Sequence, residues 1–402
     1  MPMNIVFFTD VEISPYLGGV ERVTINIVKE LNKRNHNCFL GYFRSTDRDA
    51  CNDFKKKFLL DTTTLEKQLN EILTQNQIDS CVINLCRKQY ISIFNKTLYE
   101  ITRQLGNIKV VYGYYNYPGF ELFGLTPSLA WFRLTHGQCN SNTLHGIMVS
   151  LANKLHLSGL IRGRIADKLR MGLYSDEIVL LSQRYVSRYK NLIGEHVGCK
   201  FSSIGNPLSY TKNIDLEKMG RKEKIVIQVA RFEDNFKRQT TALDIWKKVE
   251  ENGHFDDWRF LMIGGGSDEQ YIKRKARKLQ LRNIEILPAQ DPLPLLEKSS
   301  IYMLTSAYEG LPMIVLDAQQ QGVTPIGFDT FEAIHDIISD NENGIIIPEW
   351  QNELYAEKLM WLMDNAGRRQ ELAYAGLLSC QQYSSNIIAD KWECVLRKDD
   401  SR

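Results

Sequence analysis

Short apolar runs alternate with stretches of helical periodicity along this chain, and the alternation happens twice. Residues 5–8 form a continuous apolar run of the kind a buried strand shows. After the Gly18-Gly19 break, Val23, Ile27, Val28 and Leu31 recur at helical spacing through residues 20–31. Residues 37–43 and 80–85 predict strands, with a helix over about 64–73 between them, and a further helix precedes a strand at 109–114. Strands at 178–181 and 200–204 close this half. Asn206-Pro207 then opens a polar link to about residue 224, and the pattern restarts. Strands are predicted at 225–229, at 259–263 (ended by Gly264-Gly265-Gly266), at 284–287, at 301–305 and at 324–328. Helices fall at 240–249, at about 268–279 and at 312–321, and a short one follows Asp291-Pro292, since proline suits a first helical position. The tail departs from the alternation, with helices at 352–363, 368–377 and 385–396, the last carrying Trp392.

Strands alternating with helices imply parallel sheets covered on both faces. The expected organisation is an α/β protein of two Rossmann-like doubly wound domains. They span residues 1–207 and 208–375, with a terminal helix in 376–402 crossing back to the first. A length of 402 residues agrees with two cores rather than one.

Composition narrows the function classes. A net charge of +2 gives no bulk electrostatic support to nucleic-acid binding. The eight cysteines stand singly, without Cys-x-x-Cys pairs or zinc-site spacing, which favours reduced thiols and no metal site. The start, MPMNIVFFTD, lacks a basic region and a cleavage site, and no stretch nears the roughly 20 apolar residues of a membrane span. A cytoplasmic location is the expectation.

The candidate chemistry sits where loops follow predicted strands. In Ser306-Ala307-Tyr308-Glu309-Gly310-Leu311-Pro312-Met313-Ile314-Val315-Leu316-Asp317, a strand gives way to a loop and then a helix. Glycine lets backbone approach a ligand closely, and amides at a helix start hydrogen-bond phosphate or hydroxyl oxygens. Glu309 and Asp317 stand eight apart, about two helical turns, so one could reach a sugar and the other a ribose. Both are also ordinary acids at a helix start. In Arg231-Phe232-Glu233-Asp234-Asn235-Phe236-Lys237-Arg238, cations at a strand end suit a diphosphate, although a solvated basic loop has the same composition.

Other features are less specific. Gly18-Gly19-Val20-Glu21-Arg22 could bring amides to a phosphate or an acceptor, but the loop has no G-x-G-x-x-G fingerprint. Gly265, within its glycine run, could line a donor site, and a tight turn explains the run equally. His136 lies in the polar loop Leu134-Thr135-His136-Gly137-Gln138, and a lone histidine is as well a structural one. Residues 155–173 combine Leu157, Leu160, Ile161, Ile165 and Leu169 with Arg162, Arg164, Lys168 and Arg170. That pattern fits a basic amphipathic helix able to lie on anionic membrane, or a surface helix packed by its apolar stripe.

Taken together, these motifs resemble glycosyltransferase family 4, the retaining enzymes of GT-B fold. The likeness is densest over residues 225–348, where the Arg231…Lys237 element, the glycine turn, Glu309-x7-Asp317 and the run from Asp340 to Pro348 occur in family order. The resemblance implies two Rossmann-like domains facing a cleft. It implies a nucleoside-diphosphate-sugar donor, no cofactor and no metal. Arg231 and Lys237 would hold the diphosphate and Glu309 the donor sugar. Gly310, Leu311, Pro312 and Met313 would line sugar and phosphate, and Asp317 would take the ribose, where the family usually has glutamate. Relatives often place a histidine after the strand matching 109–114. Here Tyr115 stands there, so either Tyr115 or His136 would take over that contact.

The activity so implied is a metal-independent hexosyl transfer to a glycan or lipid-linked acceptor, in surface polysaccharide or lipopolysaccharide assembly, by a protein that touches the inner membrane face at most peripherally. A nucleotide-sugar epimerase would share the donor site. A phosphorylase would need a pyridoxal-binding lysine and a far longer chain. The departures at Tyr115 and Asp317 leave room for a non-catalytic nucleotide-sugar-binding or scaffold protein.

Overall fold

A computed structural model describes residues 1–14, 18–85, 88–120, 127–135, 141–154, 158–194 and 199–397. In chain order the elements are β1 (Asn4–Thr9), α1 (Gly19–Lys33), β2 (Asn37–Tyr42), β3 (Lys56–Leu59), α2 (Leu65–Gln75), β4 (Ser80–Asn84), α3 (Lys88–Leu105) and β5 (Lys109–Tyr114). Three helices follow, α4 (Pro127–Thr135), α5 (Ser141–Lys154) and α6 (Ser158–Arg170), then β6 (Glu177–Leu180), α7 (Arg184–Ile193) and β7 (Lys200–Ser203). The second half contains α8 (Leu216–Met219), β8 (Ile225–Val229), α9 (Asp234–Lys237), α10 (Gln239–Asn252), β9 (Arg259–Ile263), α11 (Glu269–Lys278), β10 (Ile284–Leu287) and α12 (Leu293–Leu296). It continues with β11 (Ile301–Leu304), α13 (Met313–Gln320), β12 (Thr324–Asp329), α14 (Ile334–Ile337), β13 (Ile345–Pro348), α15 (Asn352–Asp364), α16 (Ala366–Ser379) and α17 (Ser385–Leu396).

The strands form two all-parallel sheets, ordered β3-β2-β1-β4-β5-β6-β7 and β10-β9-β8-β11-β12-β13. Each reverses direction of growth once, between β1 and β4 in the first and between β8 and β11 in the second. The central strands β1 and β4 are buried along nearly their whole length, as sheets covered on both faces require. The strand β3 was not foreseen. Its sequence, Lys-Lys-Phe-Leu, has no buried residue, and as an edge strand it is held by ladder bonds to β2 rather than by an apolar face.

The chain divides into two compact units: Met1–Gly119 with Arg162–Ser209 and Gln382–Arg402, and Phe120–Ile161 with Tyr210–Gln381. Residues 120–161 therefore differ from the expected division, because they join the second unit. The physical reason is in α4. The Arg133 guanidinium forms a buried bidentate pair with Asp268, at 2.9 and 2.8 Å, and Phe132 packs on Tyr271 of α11 with ring centroids 5.0 Å apart. The charge pattern of α11 suits its ends, with Glu269 in the first turn and Lys275, Arg277 and Lys278 in the last.

In the first unit, α17 packs along α1 and buries Ile388, Ala389, Trp392, Val395 and Leu396. Of the apolar stripe that fits either a membrane surface or inward packing, Ile165 and Leu169 of α6 are buried in the first unit, so those two side chains pack inward. Leu157 lies outside the described residues. Among the described residues no helix is long and apolar enough to cross a membrane.

Candidate active site

Open α/β sheets bind ligands beyond the carboxyl ends of the strands where the strand order reverses. In the second sheet that point lies between β8 and β11. The loops leaving these strands carry the two strongest motifs of the sequence. Buried polar contacts zip the loops together. Gln228 Nε2 donates to Thr305 Oγ1 at 2.9 Å, and that hydroxyl is shared between the carbonyls of Lys237 and Arg238 at 2.9 and 3.0 Å. The Ala307 amide donates to Phe236 O at 2.7 Å. Thr330, just after β12, donates its hydroxyl to Ser306 O at 2.7 Å. A third loop is thereby tied to the same place.

On this scaffold Lys237 Nζ donates to Glu309 Oε1 at 2.5 Å, and Ser306 Oγ donates to the same oxygen at 2.7 Å. The two charged side chains are only 19% and 14% exposed, so the pair is mostly withdrawn from water yet open at its mouth. Gly310 follows, then Leu311, Pro312 and Met313, which are buried as α13 begins. Among the described residues nothing accepts from the amides of Gly310 and Met313, so both donors remain for an oxygen ligand.

Asp317 lies in the body of α13 and is 3% exposed. Burial, reinforced by the charges of Glu309 and Asp317, pushes the Tyr302 hydroxyl well above its ordinary acidity range, so both acids lie near one phenol. Burial, with help from Asp317, also raises the Cys380 thiol to about 12. Arg231 does not join the pair. Its side chain is 76% exposed and lies 3.5 Å from Glu233.

Packing requires two of the three glycines in the run. A Cβ on Gly264 would sit 2.0 Å from Ala230 O, and Gly266, at φ +156, would put one 2.6 Å from Phe232 O. Gly265 meets only Ala289, at 3.9 Å, so the flanking glycines serve loop packing and the middle one is free of it. Asp268, unassigned from the sequence, knits the same loops. Its Oδ2 accepts from the Asp234 amide at 2.8 Å, and its own amide donates to Phe232 O at 3.0 Å. Asp234 in turn accepts from the Thr240 amide and hydroxyl, both at 2.7 Å, across the start of α10. The signals for these roles were present: an acid after a glycine run, and an acid within a basic motif.

Two expected residues belong to the first unit. Gly19 is the exposed first residue of α1. Tyr115 follows β5, and its ring lies back over Gly113, where a Cβ would meet it at 2.8 Å. His136 lies outside the described residues. Among the described residues no group of three or more His, Cys, Asp or Glu is placed to hold a metal ion.

Residues 211–378, which contain Lys237, Glu309, Asp317 and the glycine run, match the family model of glycosyl transferases group 1. The amylovoran biosynthesis glycosyltransferase AmsD of Erwinia amylovora is 28% identical over 238 residues, 57% of this chain and 65% of that protein. A Campylobacter jejuni α-1,4-N-acetyl-D-galactosaminyltransferase, named for a diphosphoundecaprenol-linked glycan substrate, is 23% identical over 52% of this chain and 55% of its own. The chain thus spans between about half and two thirds of these relatives' lengths. Among solved structures, Anabaena HepE in complex with UDP superposes with a TM-score of 0.68 at 13% identity, covering 98% of this chain and 99% of that one. The two doubly wound units have the GT-B fold, and the matches together support a glycosyltransferase.

Proposed function

We propose that this protein is a retaining hexosyltransferase. It would move a sugar from a nucleoside-diphosphate donor to a glycan or lipid-linked acceptor in surface polysaccharide or lipopolysaccharide assembly, on the cytoplasmic side. The observation that carries the reading is the Lys237–Glu309 pair, set at the strand-order reversal beside the donor amides of α13. Its location within the stretch matching glycosyl transferases group 1 adds support.

In this reading Lys237 and Arg231 neutralise the diphosphate, Arg231 swinging in from solvent. The amides of Gly310 and Met313 hold sugar or phosphate oxygens, Leu311 and Pro312 form the floor, and Gly265 leaves room for the donor. Glu309 binds the donor sugar, and Asp317 supports the ribose. The bond from anomeric carbon to phosphate oxygen breaks with its electron pair leaving on the diphosphate. The acceptor hydroxyl attacks from the same face, and its proton passes to a phosphate oxygen. Fixed cations and amides stabilise the charge that develops, so neither metal nor cofactor is required of the step. Gly19 would offer its amide to the donor, and Tyr115 would take over the contact that relatives give to a histidine.

A panel of nucleotide-sugars, read by thermal stabilisation and donor hydrolysis with and without chelator, tests this. One donor class should stabilise the wild type and be turned over in chelator, and Lys237→Ala should weaken both responses. A panel in which nothing binds would sink the proposal. Turnover that depends fully on added divalent metal would remove its metal-free part.

A further inference from the structure

Among the described residues, the left-handed backbone positions outside glycine go to Asn35, Gln77, Gln280 and Asn341, polar residues that close helices and turns, and to Arg238 and Trp350. The last two touch each other. The Arg238 guanidinium lies 4.1 Å from the Trp350 ring centroid and donates to Glu349 Oε1 at 2.8 Å. A bulky residue at φ +68 is strained, and the turn from β13 into α15 would accept glycine or asparagine more readily. Nor does burial explain the indole, which is 68% exposed. Strain held at an exposed aromatic points to use rather than to packing.

The surroundings say what use. Arg238 immediately follows Lys237, which holds Glu309, and its carbonyl is fixed by Thr305, so the clamp is built on the scaffold of the candidate site. The guanidinium occupies one face of the ring and fixes its plane, leaving the opposite face to solvent. The residue before it in the chain supplies a hydrogen-bond acceptor, and the neighbouring strand ends in another acid. Glu349 has its second oxygen without a partner among the described residues, and Asp329 lies at the end of the neighbouring strand, in register with Pro348 and 2.9 Å from His335. A fixed aromatic plane with a carboxylate at its edge is complementary to a pyranose. The C–H face of the sugar covers the ring, and its hydroxyls donate to the acids.

We propose that Trp350, clamped by Arg238 and preceded in the chain by Glu349, is a sugar-stacking subsite that holds a pyranose of the acceptor glycan. That the sugar belongs to an acceptor rests on the transferase reading above. The stacking itself does not.

The test uses full-length protein labelled with 5-fluorotryptophan, the Trp350 fluorine signal being assigned by its absence in Trp350→Asn. Asparagine tolerates left-handed backbone, so this variant should keep or raise the melting temperature. The probes are the methyl glycosides of glucose, galactose, N-acetylglucosamine and N-acetylgalactosamine, and separately UDP. At least one glycoside should move the Trp350 signal saturably, and Trp350→Asn should bind it roughly tenfold more weakly, as loss of one aromatic contact predicts. UDP should leave the signal in place and bind both proteins equally. A signal unmoved by every glycoside overturns the subsite while leaving the donor reading intact. Movement with UDP alone also overturns it and gives the indole to the nucleotide. Glycoside binding in a protein that binds no nucleotide-sugar would instead sink the transferase reading and spare the subsite.

Discussion

Lys237 and Glu309 were both visible in the sequence, but their pairing was not. The two lie 72 positions apart, and only the parallel arrangement of β8 and β11 brings their loops together. The residues that hold the pair in place, Gln228, Thr305 and Ser306, gave no local signal of their own, since a buried hydroxyl bonded to two carbonyls reads in sequence as an ordinary strand end. The pair defines the sharpest prediction at this scale. Glu309→Gln keeps the shape of the site and removes its charge, so transfer should be nearly lost while the melting temperature holds. Lys237→Ala should weaken nucleoside-diphosphate binding roughly ten- to a hundredfold, the cost of about 1.5–3 kcal/mol for a charge-assisted bond. Calorimetric titration decides this, and wild-type affinity in Lys237→Ala would remove the residue from the phosphate role. Arg231, lying out in solvent, should show a smaller loss in the same titration.

Elements were legible wherever periodicity was strong. The strands β5, β8, β9 and β10 and the helix α17 begin and end where the apolar pattern does. What escaped was held by contacts distant in sequence. The helices α4 and α5 show little one-sided apolar patterning, and α4 is fixed by Arg133 reaching Asp268, 135 positions away. Breaking that pair from one side leaves a charge buried without its partner, so Arg133→Leu or Asp268→Ala should cost about 3–5 kcal/mol in urea unfolding. The double variant should recover part of the loss, and strict additivity would show that the pair does not tie α4 to α11. The glycine loop gives a second contrast. Gly264→Ala forces a methyl group into the Ala230 carbonyl and should cost about 3 kcal/mol or prevent folding, whereas Gly265→Ala should leave stability unchanged. Nucleoside-diphosphate affinity of Gly265→Ala then reports on the donor site alone.

At the scale of the whole chain, the doubled strand-helix alternation carried the architecture, while the membership of residues 120–161 in the second unit did not follow from it. The first unit is completed only when the chain returns as α17, and its docking on α1 depends on charge. Arg34, just after α1, pairs with Asp390 at 2.7 Å and with Glu393 at 3.1 Å, and Arg397 also donates to Glu393. His36 is buried there. Its Nδ1 accepts from the Met3 amide at 2.9 Å, so that nitrogen carries no proton, while Nε2 lies 3.4 Å from Glu393. Burial above all lowers the pKa of His36 below 6.5, against the opposing pull of Glu393. The bond from Arg397, then that from Arg34, lowers Glu393 below 4.5. For both groups the unfolded chain binds more protons than the folded one as pH drops, so both shifts make stability fall with acid. The histidine contribution is present above pH 6.5 and is lost as pH falls from there toward its folded value. The glutamate contribution is present above 4.5 and lost below. The protection of α17 amides, taken as exchange relative to the intrinsic rate at each pH, should therefore fall first on acidification through pH 6.5 and again below 4.5, ahead of the elements of the second unit. In His36→Asn, whose side-chain oxygen can still accept from Met3, the first step should vanish and the second remain. Protection of α17 that stays constant between pH 7 and 5 in the wild type would show that His36 does not govern the docking of this helix.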